Sequence, residues 1–286
     1  MSALHSLTKP IPITQSAVIA QFPKRPQDSH KGLFGTVAII GGASGMLGAP
    51  LLAARAALKM GAGCVHVGLM AENAPGIDMF QPELMVHNAT AAMQIGTVDV
   101  LALGCGMGRD MDAQLLLNAA LSADATLVLD ADALNVLALY PYLQTRLLTR
   151  KFPTVLTPHP GEAARLLGCS IQDVQNNRAK SVRAIAQKFA CAAVLKGANS
   201  VCNTSDGKLY INHSGNPGMS SAGMGDILTG MIAAFIAQGM SADDALLLAV
   251  HLHGAAGDAL AQQHAAIGMT ATEVTESARL LLNQWR

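Results

Sequence analysis

The residues of this chain best suited to chemistry lie in Asn216-Pro-Gly-Met-Ser-Ser-Ala-Gly-Met-Gly-Asp226-Ile-Leu-Thr-Gly230. Gly223 and Gly225 let a turn bring main-chain N–H groups close to a ligand. Asp226 follows, at the mouth of an apolar helix predicted over residues 227–238. Unpaired N–H groups and the positive end of the helix dipole make such a mouth an anion site. N–H donors around a phosphate with one carboxylate beside them suit phosphoryl transfer. With an ordinary pKa of about 3.9, that carboxylate is expected to be ionised but weakly basic. Positioning and charge neutralisation then carry more of the rate than proton abstraction.

Four other segments sit where a predicted strand ends, and each carries glycine or polar character. Gly41-Gly-Ala-Ser-Gly45-Met-Leu-Gly48 resembles the glycine turn of a nicotinamide dehydrogenase, but such turns recur in many α/β proteins. Short-chain dehydrogenases also need a Tyr-x-x-x-Lys pair, and none of Tyr140, Tyr142 and Tyr210 has Lys four residues on. In Leu129-Asp-Ala-Asp132, Asp130 ends a strand and is open to a metal or substrate role or a turn role, while Asp132 is expected to cap the next helix. Thr157-Pro-His159-Pro-Gly-Glu162 holds a histidine in a loop stiffened by two prolines, so His159 is either a substrate contact or a local hydrogen-bonder. Glu162 there reads as a dipole partner. Lys196-Gly-Ala-Asn-Ser200 adds a cation to a loop of accessible N–H groups. The remaining histidines form no metal-ligand pattern, and no Walker-type lysine loop is present.

The elements that must position these residues alternate. Short runs apolar on successive residues, over 36–40, 64–68, 98–103, 126–129, 154–156 and 192–195, read as strands buried on both faces. Helical patterns over 49–60, 112–121, 133–139, 161–167 and 173–189 separate them. This alternation predicts a doubly wound α/β layer structure with a mostly parallel sheet. In the last third, residues 200–202 and 208–212 flank Ser205-Asp206-Gly207 as a hairpin. Helices follow over 227–238, 242–263 and 272–284, with Ser241 capping the second. A short helix is predicted near 14–21. No internal linker or repeat divides the chain, which predicts a single domain.

Composition narrows the functional classes. Apolar residues make up 51% of the 286 and charged residues 13%, enough for a large core and too few for disorder. The 19 basic residues are balanced by 19 acidic ones with no basic block, which argues against nucleic acid as a partner. Five cysteines, odd in number and lacking a CxxC pair, read as reduced and buried thiols. No secretory leader and no membrane span are expected, which makes a cytoplasmic location the expectation.

Taken together and in order, His30-Lys-Gly-Leu-Phe-Gly35, the 41–48 turn, Asp130-Ala-Asp-Ala-Leu-Asn135, Thr157-Pro-His-Pro-Gly-Glu162, Lys196-Gly-Ala-Asn199 and Gly223-Met-Gly-Asp226 resemble the ADP-dependent NAD(P)H-hydrate dehydratase family of the ribokinase-like superfamily. The resemblance runs from about His30 to the C-terminus, leaving residues 1–29 as an extension packed on a domain of 30–286. It implies a three-layer α/β/α fold without the ribokinase lid. It also implies dehydration of the S epimer of NADHX or NADPHX, the hydrated forms of NADH and NADPH, with ADP (or ATP) consumed and magnesium accompanying the nucleotide. Carried over by position, Asp226 is the catalytic residue, and Gly223, Met224 and Gly225 form the anion hole. Ala49, Gly106, His159 and Asp226 border the hydrate, while Lys196, Gly197, Ala198, Asn199, Ser200 and Gly225 contact the adenine nucleotide. No metal-ligating side chain is implied. Some relatives carry an N-terminal epimerase domain, and this chain resembles the stand-alone dehydratase. The resemblance further suggests a homo-oligomer, with a tetramer suspected. One departure is Ala222, where many relatives have glycine. A ribokinase-like kinase of a vitamin alcohol is the main alternative, and a silent nucleotide-binding module is the third.

Overall fold

The computed structural model describes residues 9–264 and 266–286. The first half runs β1 (Ile11–Pro12), α1 (Gln15–Ile19), β2 (Thr36–Gly41), α2 (Gly48–Lys59), β3 (Cys64–Leu69), β4 (Met85–Asn88), α3 (Ala89–Met93), β5 (Val100–Leu103), α4 (Met111–Ala120), β6 (Thr126–Leu129) and α5 (Ala131–Leu139). Next come α6 (Pro141–Leu148), β7 (Thr154–Leu156), α7 (Pro160–Leu167), α8 (Ile171–Asn176), α9 (Arg178–Phe189) and β8 (Ala192–Leu195). The chain closes with β9 (Val201–Asn203), β10 (Leu209–Ile211), α10 (Met224–Ala237), α11 (Ala242–His264) and α12 (Ala271–Trp285).

All the described strands join one sheet in the order β1-β10-β9-β8-β7-β6-β5-β2-β3-β4. From β8 to β4 every pairing is parallel, while β9 runs antiparallel to both β8 and β10. The period of two along each strand sorts the core into two halves. Val37, Ile39, Val65, Val67, Val128 and Val194 face α2, α10 and α11. Ala38, Ile40, Leu101, Leu103, Leu127 and Leu195 face α4, α5, α7 and α9. The result is the expected α/β/α sandwich. Among the described residues no helix is long and apolar enough to cross a membrane.

The sheet also dictates where a ligand would bind. From β2 the chain builds outward through β3 and β4, then returns to lay β5 on the other side of β2. The loops leaving β2 and β5 therefore part in opposite directions at their carboxyl ends. In open α/β sheets that divergence is the ligand crevice.

Several boundaries differ from the sequence expectation. The strand expected over 98–103 begins at Val100, just after Asp99, whose carboxylate accepts from the Thr36 N–H at 2.7 Å. The helix expected over 173–189 is two, broken at Asn177, whose φ of −140° and ψ of 53° are not helical. Helix α10 starts three residues earlier than predicted, at Met224. Not every thiol is buried: Cys105, Cys191 and Cys202 are, whereas Cys64 is half-buried and Cys169 exposed. Cys169 follows the helix-ending Gly168, beyond the reach of the core.

Candidate active site

The earlier start of α10 changes the standing of Asp226. The helix opens at Met224-Gly225-Asp226, so the carboxylate belongs to the first turn rather than preceding it. Gly223 is the N-cap with φ of 90°, a left-handed conformation costly for any side chain. A Cβ there would also lie 2.7 Å from the Leu52 side chain. The first helical hydrogen bond runs from Ile227 N to Gly223 O at 3.0 Å. The N–H groups of Met224, Gly225 and Asp226 precede it and have no intrahelical acceptor. These three donors, at the positive end of a 14-residue helix, make a surface able to hold an anion.

Beneath this turn lies a buried charge network. Lys196, just past β8, reaches Asp130, just past β6, with Nζ 2.5 Å from Oδ1. Thr229 Oγ1 donates to the other oxygen of Asp130 at 2.9 Å. Thr229 stands one helical turn after Asp226, so α10 contributes both the carboxylate and the clamp. Burial pulls the Lys196 ammonium down, but Asp130 and Glu162 more than offset it, leaving the lysine above its ordinary value and cationic. Gly225 roofs the pair. A Cβ at that position would sit 3.1 Å from Lys196 Nζ and 3.4 Å from Asp130 Oδ2.

Asp226 differs from its sequence expectation. Burial pushes its carboxyl up to about 6, opposed by a hydrogen bond from the Cys105 thiol, aided by the charge on Asp130 and opposed again by Lys196. It is a stronger base than an ordinary aspartate and titrates close to neutral pH, where general bases work best.

The other expected positions fall at the same carboxyl edge of the sheet. Ala49, in the first turn of α2, faces Gly106: a Cβ on Gly106 would come 3.3 Å from that of Ala49. The β2 and β5 loops are tied across the switch point by Gly42 N to Cys105 O (3.1 Å) and Ala43 N to Gly106 O (2.7 Å). His159 caps α7. Its Nδ1 accepts from Gly161 N at 2.9 Å, and Glu162 returns the favour to His159 N at 2.8 Å. Nε2 lies 3.1 Å from the second Glu162 oxygen. His159 is thus a satisfied local hydrogen-bonder, with a ring still half exposed on the site's rim. Glu162 is a capping-box partner, more than the dipole partner expected. The 196–200 loop leaves β8 beside this segment, with Lys196 N bonded to Pro158 O at 2.9 Å. Within it Ser200 Oγ donates to Gly197 O at 2.9 Å, and Asn199 meets His213 at 2.9 Å. Ala198 is exposed between them. Asp132 does not cap its helix. It accepts from Gly108 N and Arg109, bracing the loop after β5. Ala222 is exposed and lies outside the helix turn.

Cys105, Thr229 and Arg178 were not anticipated. Arg178 ties down the lysine loop by donating to the carbonyls of Leu195 (2.9 Å) and Lys196 (3.2 Å). The Asp130–Lys196 pair left a faint trace in the sequence, since opposite charges both end strands of one parallel sheet. Nothing in the sequence marked the thiol.

Comparison with known proteins accords with this geometry. The family model described as NAD(P)H-hydrate dehydratase matches residues 37–279. The chain belongs to the NAD(P)H-hydrate dehydratase family. The chain is 40% identical over 268 residues to the ADP-dependent (S)-NAD(P)H-hydrate dehydratase of Neisseria meningitidis, covering 92% of this chain and 90% of that one. The crystal structure of the ADP/ATP-dependent NAD(P)H-hydrate dehydratase from Bacillus subtilis, co-crystallised with ATP and Mg2+, superposes with a TM-score of 0.86 at 29% identity. That match covers 98% of this chain and 100% of the other. A ribokinase-like superfamily protein of Enterococcus faecalis superposes at 0.83 with 26% identity over 100% and 99% of the two chains. The dehydratase-family fold is therefore ribokinase-like, as the motif order implied.

Proposed function

We propose that this protein repairs hydrated NADH and NADPH, dehydrating the S epimer of NADHX or NADPHX at the expense of ADP. The observation that carries this reading is Asp226 in the first turn of α10, beside three free N–H donors and next to the half-buried Lys196 that pairs with Asp130. Membership of the dehydratase family supplies the substrate class.

The hydrate carries a hydroxyl on a saturated ring carbon, and hydroxide is a poor leaving group. Asp226 accepts the hydroxyl proton as that oxygen attacks the terminal phosphorus of ADP. The phosphoanhydride bond breaks and AMP leaves. The N–H groups of Met224, Gly225 and Asp226 hold the phosphoryl oxygens in transit. Lys196 to Ser200, with Gly225, hold the nucleotide. Phosphate then departs from the ring carbon as the ring nitrogen's lone pair pushes in, and loss of a proton from the adjacent carbon restores the dihydropyridine. Ala49, Gly106 and the rim at His159 border the ring. The net change is hydrate plus ADP to NAD(P)H, AMP and phosphate.

Magnesium belongs to the nucleotide in this reading. It prefers phosphate and water oxygens to an all-protein cage, and it would supply charge neutralisation of the phosphates. Among the described residues no three His, Cys, Asp or Glu side chains gather as a metal cage. Residues 30–286 form the catalytic unit, with Ile11–Pro12 added as an edge strand beside β10. A homo-oligomer, tetramer first, is the assembly to test by light scattering.

The decisive assay incubates the protein with hydrated NADH, magnesium and either ADP or ATP. Recovery of near-ultraviolet NADH absorbance, with AMP from ADP, is expected. A phosphorylated product without that absorbance would instead make the protein a kinase.

A further inference from the structure

A cavity of about 390 Å3 lies between α2, α12 and the segment that follows β3. Leu52, Arg55 and Lys59 of α2 form one wall, Thr272 and Thr275 of α12 another, and Phe80 a third. The steps of the reaction leave this cavity unused. Ala49, Leu52, Arg55 and Lys59 recur at helical spacing, so they share one side of α2. The side of the helix that borders the hydrate at Ala49 therefore continues, a turn later, as the cavity wall. Leu52 also packs under the turn that opens α10, where a Cβ on Gly223 would lie 2.7 Å from its side chain. The same Cβ would lie 3.0 Å from Ala271, the neighbour of Thr272. The cavity and the reaction site thus share a boundary.

Phe80 is 85% exposed, yet it is firmly held. Asp78 is buried and accepts from two nitrogens of Arg55 at 2.6 Å each, and from the Phe80 N–H at 3.0 Å. The Arg55 guanidinium stands 5.3 Å from the Phe80 ring centroid. This ion pair fixes the backbone of a residue whose ring faces solvent. Lys59 is answered in turn by Glu276, 3.0 Å away. With both cations paired, the cavity exerts little pull on a free phosphate. It offers an aromatic face, an aliphatic wall and the Thr272 hydroxyl, surroundings that suit a nucleobase and its ribose.

The sheet order sets this cavity apart from the loop assigned to ADP. The 196–200 loop leaves β8 on one side of β2, whereas Phe80 follows β3 on the other. The hydrate is itself a dinucleotide, and its adenosine half needs a place that ADP does not fill. We propose that the cavity holds the adenosine half of NADHX or NADPHX, with the adenine stacked on Phe80. This rests on the substrate assignment given above.

The test compares two hydrates in the parent, Phe80→Ala and Phe80→Trp. One is hydrated NADH; the other is hydrated nicotinamide mononucleotide in its reduced form, which lacks the adenylate half. Loss of a stacking ring should raise the KM of Phe80→Ala for hydrated NADH by roughly 5- to 100-fold. The KM for ADP should stay at the parent value. Parent and Phe80→Ala should handle the mononucleotide hydrate alike, and Phe80→Trp, which keeps a stacking face, should restore the low KM for hydrated NADH. An unchanged KM for hydrated NADH in Phe80→Ala would overturn the proposal. So would an equal rise for both hydrates, which a general disturbance of the site or of a contact between copies would give; light scattering on the variant identifies the second case. The two assignments fail separately. A parent that regenerates no NADH removes the repair function and this subsite with it, whereas an active parent matched by Phe80→Ala removes only the subsite.

Discussion

The raised basicity of Asp226 comes from a conflict between burial and charge. A carboxylate at a helix N-terminus is ordinarily stabilised by the dipole, yet this one titrates at about 6 because burial outweighs its favourable partners. Turnover that depends on its ionised form should fall as pH drops through about 6, read from the acid limb of a pH–rate profile. Asp226→Asn should cut kcat by roughly 100- to 10,000-fold, the usual worth of a positioned general base, while ADP affinity by calorimetry largely survives. Lys196 gives a different signature. Lys196→Met leaves Asp130 buried with only Thr229 as partner, which costs on the order of 3–5 kcal/mol in denaturant unfolding. The same change weakens ADP binding, because the cation beneath the anion-binding turn is gone.

Among the elements, α10 sets the geometry, and its closest neighbour is α2. Gly230 lies where the two helices cross: a Cβ there would stand 1.9 Å from the Ala53 carbonyl oxygen. Ala53, Ala54 and Ala57 on α2 are fully buried, so small residues on both helices permit this approach. Gly230→Ala must push the helices apart. We expect a loss of about 1–3 kcal/mol in chemical denaturation. Activity should drop too, since α10 carries Asp226 at one end and α2 carries Ala49 at its start. The helix pattern on α10 was plain from its apolar run, but its first turn was not. Met224-Gly225-Asp226 lacks a side-chain cap, and the start is set by Gly223 turning under Leu52. Likewise, α8 and α9 read as one helix, because the break at Asn177 carries no proline or glycine.

For the molecule as a whole, the raised Asp226 links stability to pH with a definite sign. Between the unfolded value near 3.8 and about 6 the folded chain binds more protons at this site than the unfolded chain does. Its contribution therefore favours the folded state below 3.8 and is lost as pH rises through about 6. Asp226→Asn should raise the midpoint of thermal unfolding at neutral pH, by the equivalent of about 1–3 kcal/mol, and leave it unchanged near pH 3. An enzyme made more stable by losing its base would show that the site is maintained at the expense of the fold.

The alternation of apolar runs sufficed for the layer architecture, because a strand buried on both faces must be apolar at successive positions, and strands that alternate with helices pair mostly in parallel between two helical layers. Gly223, Gly225 and Asp226 could likewise be read as an anion site, since N–H donors and a carboxylate are local features. The strength of the base was not local. It depends on Cys105 and Lys196, 121 and 30 residues away along the chain, and on how far folding withdraws Asp226 from water. Short-range pattern reaches a few residues along the chain, whereas a pKa responds to whatever the sheet order brings within a few ångströms. That order, with β5 returning beside β2 and β8 beside β7, exists only once the chain has folded.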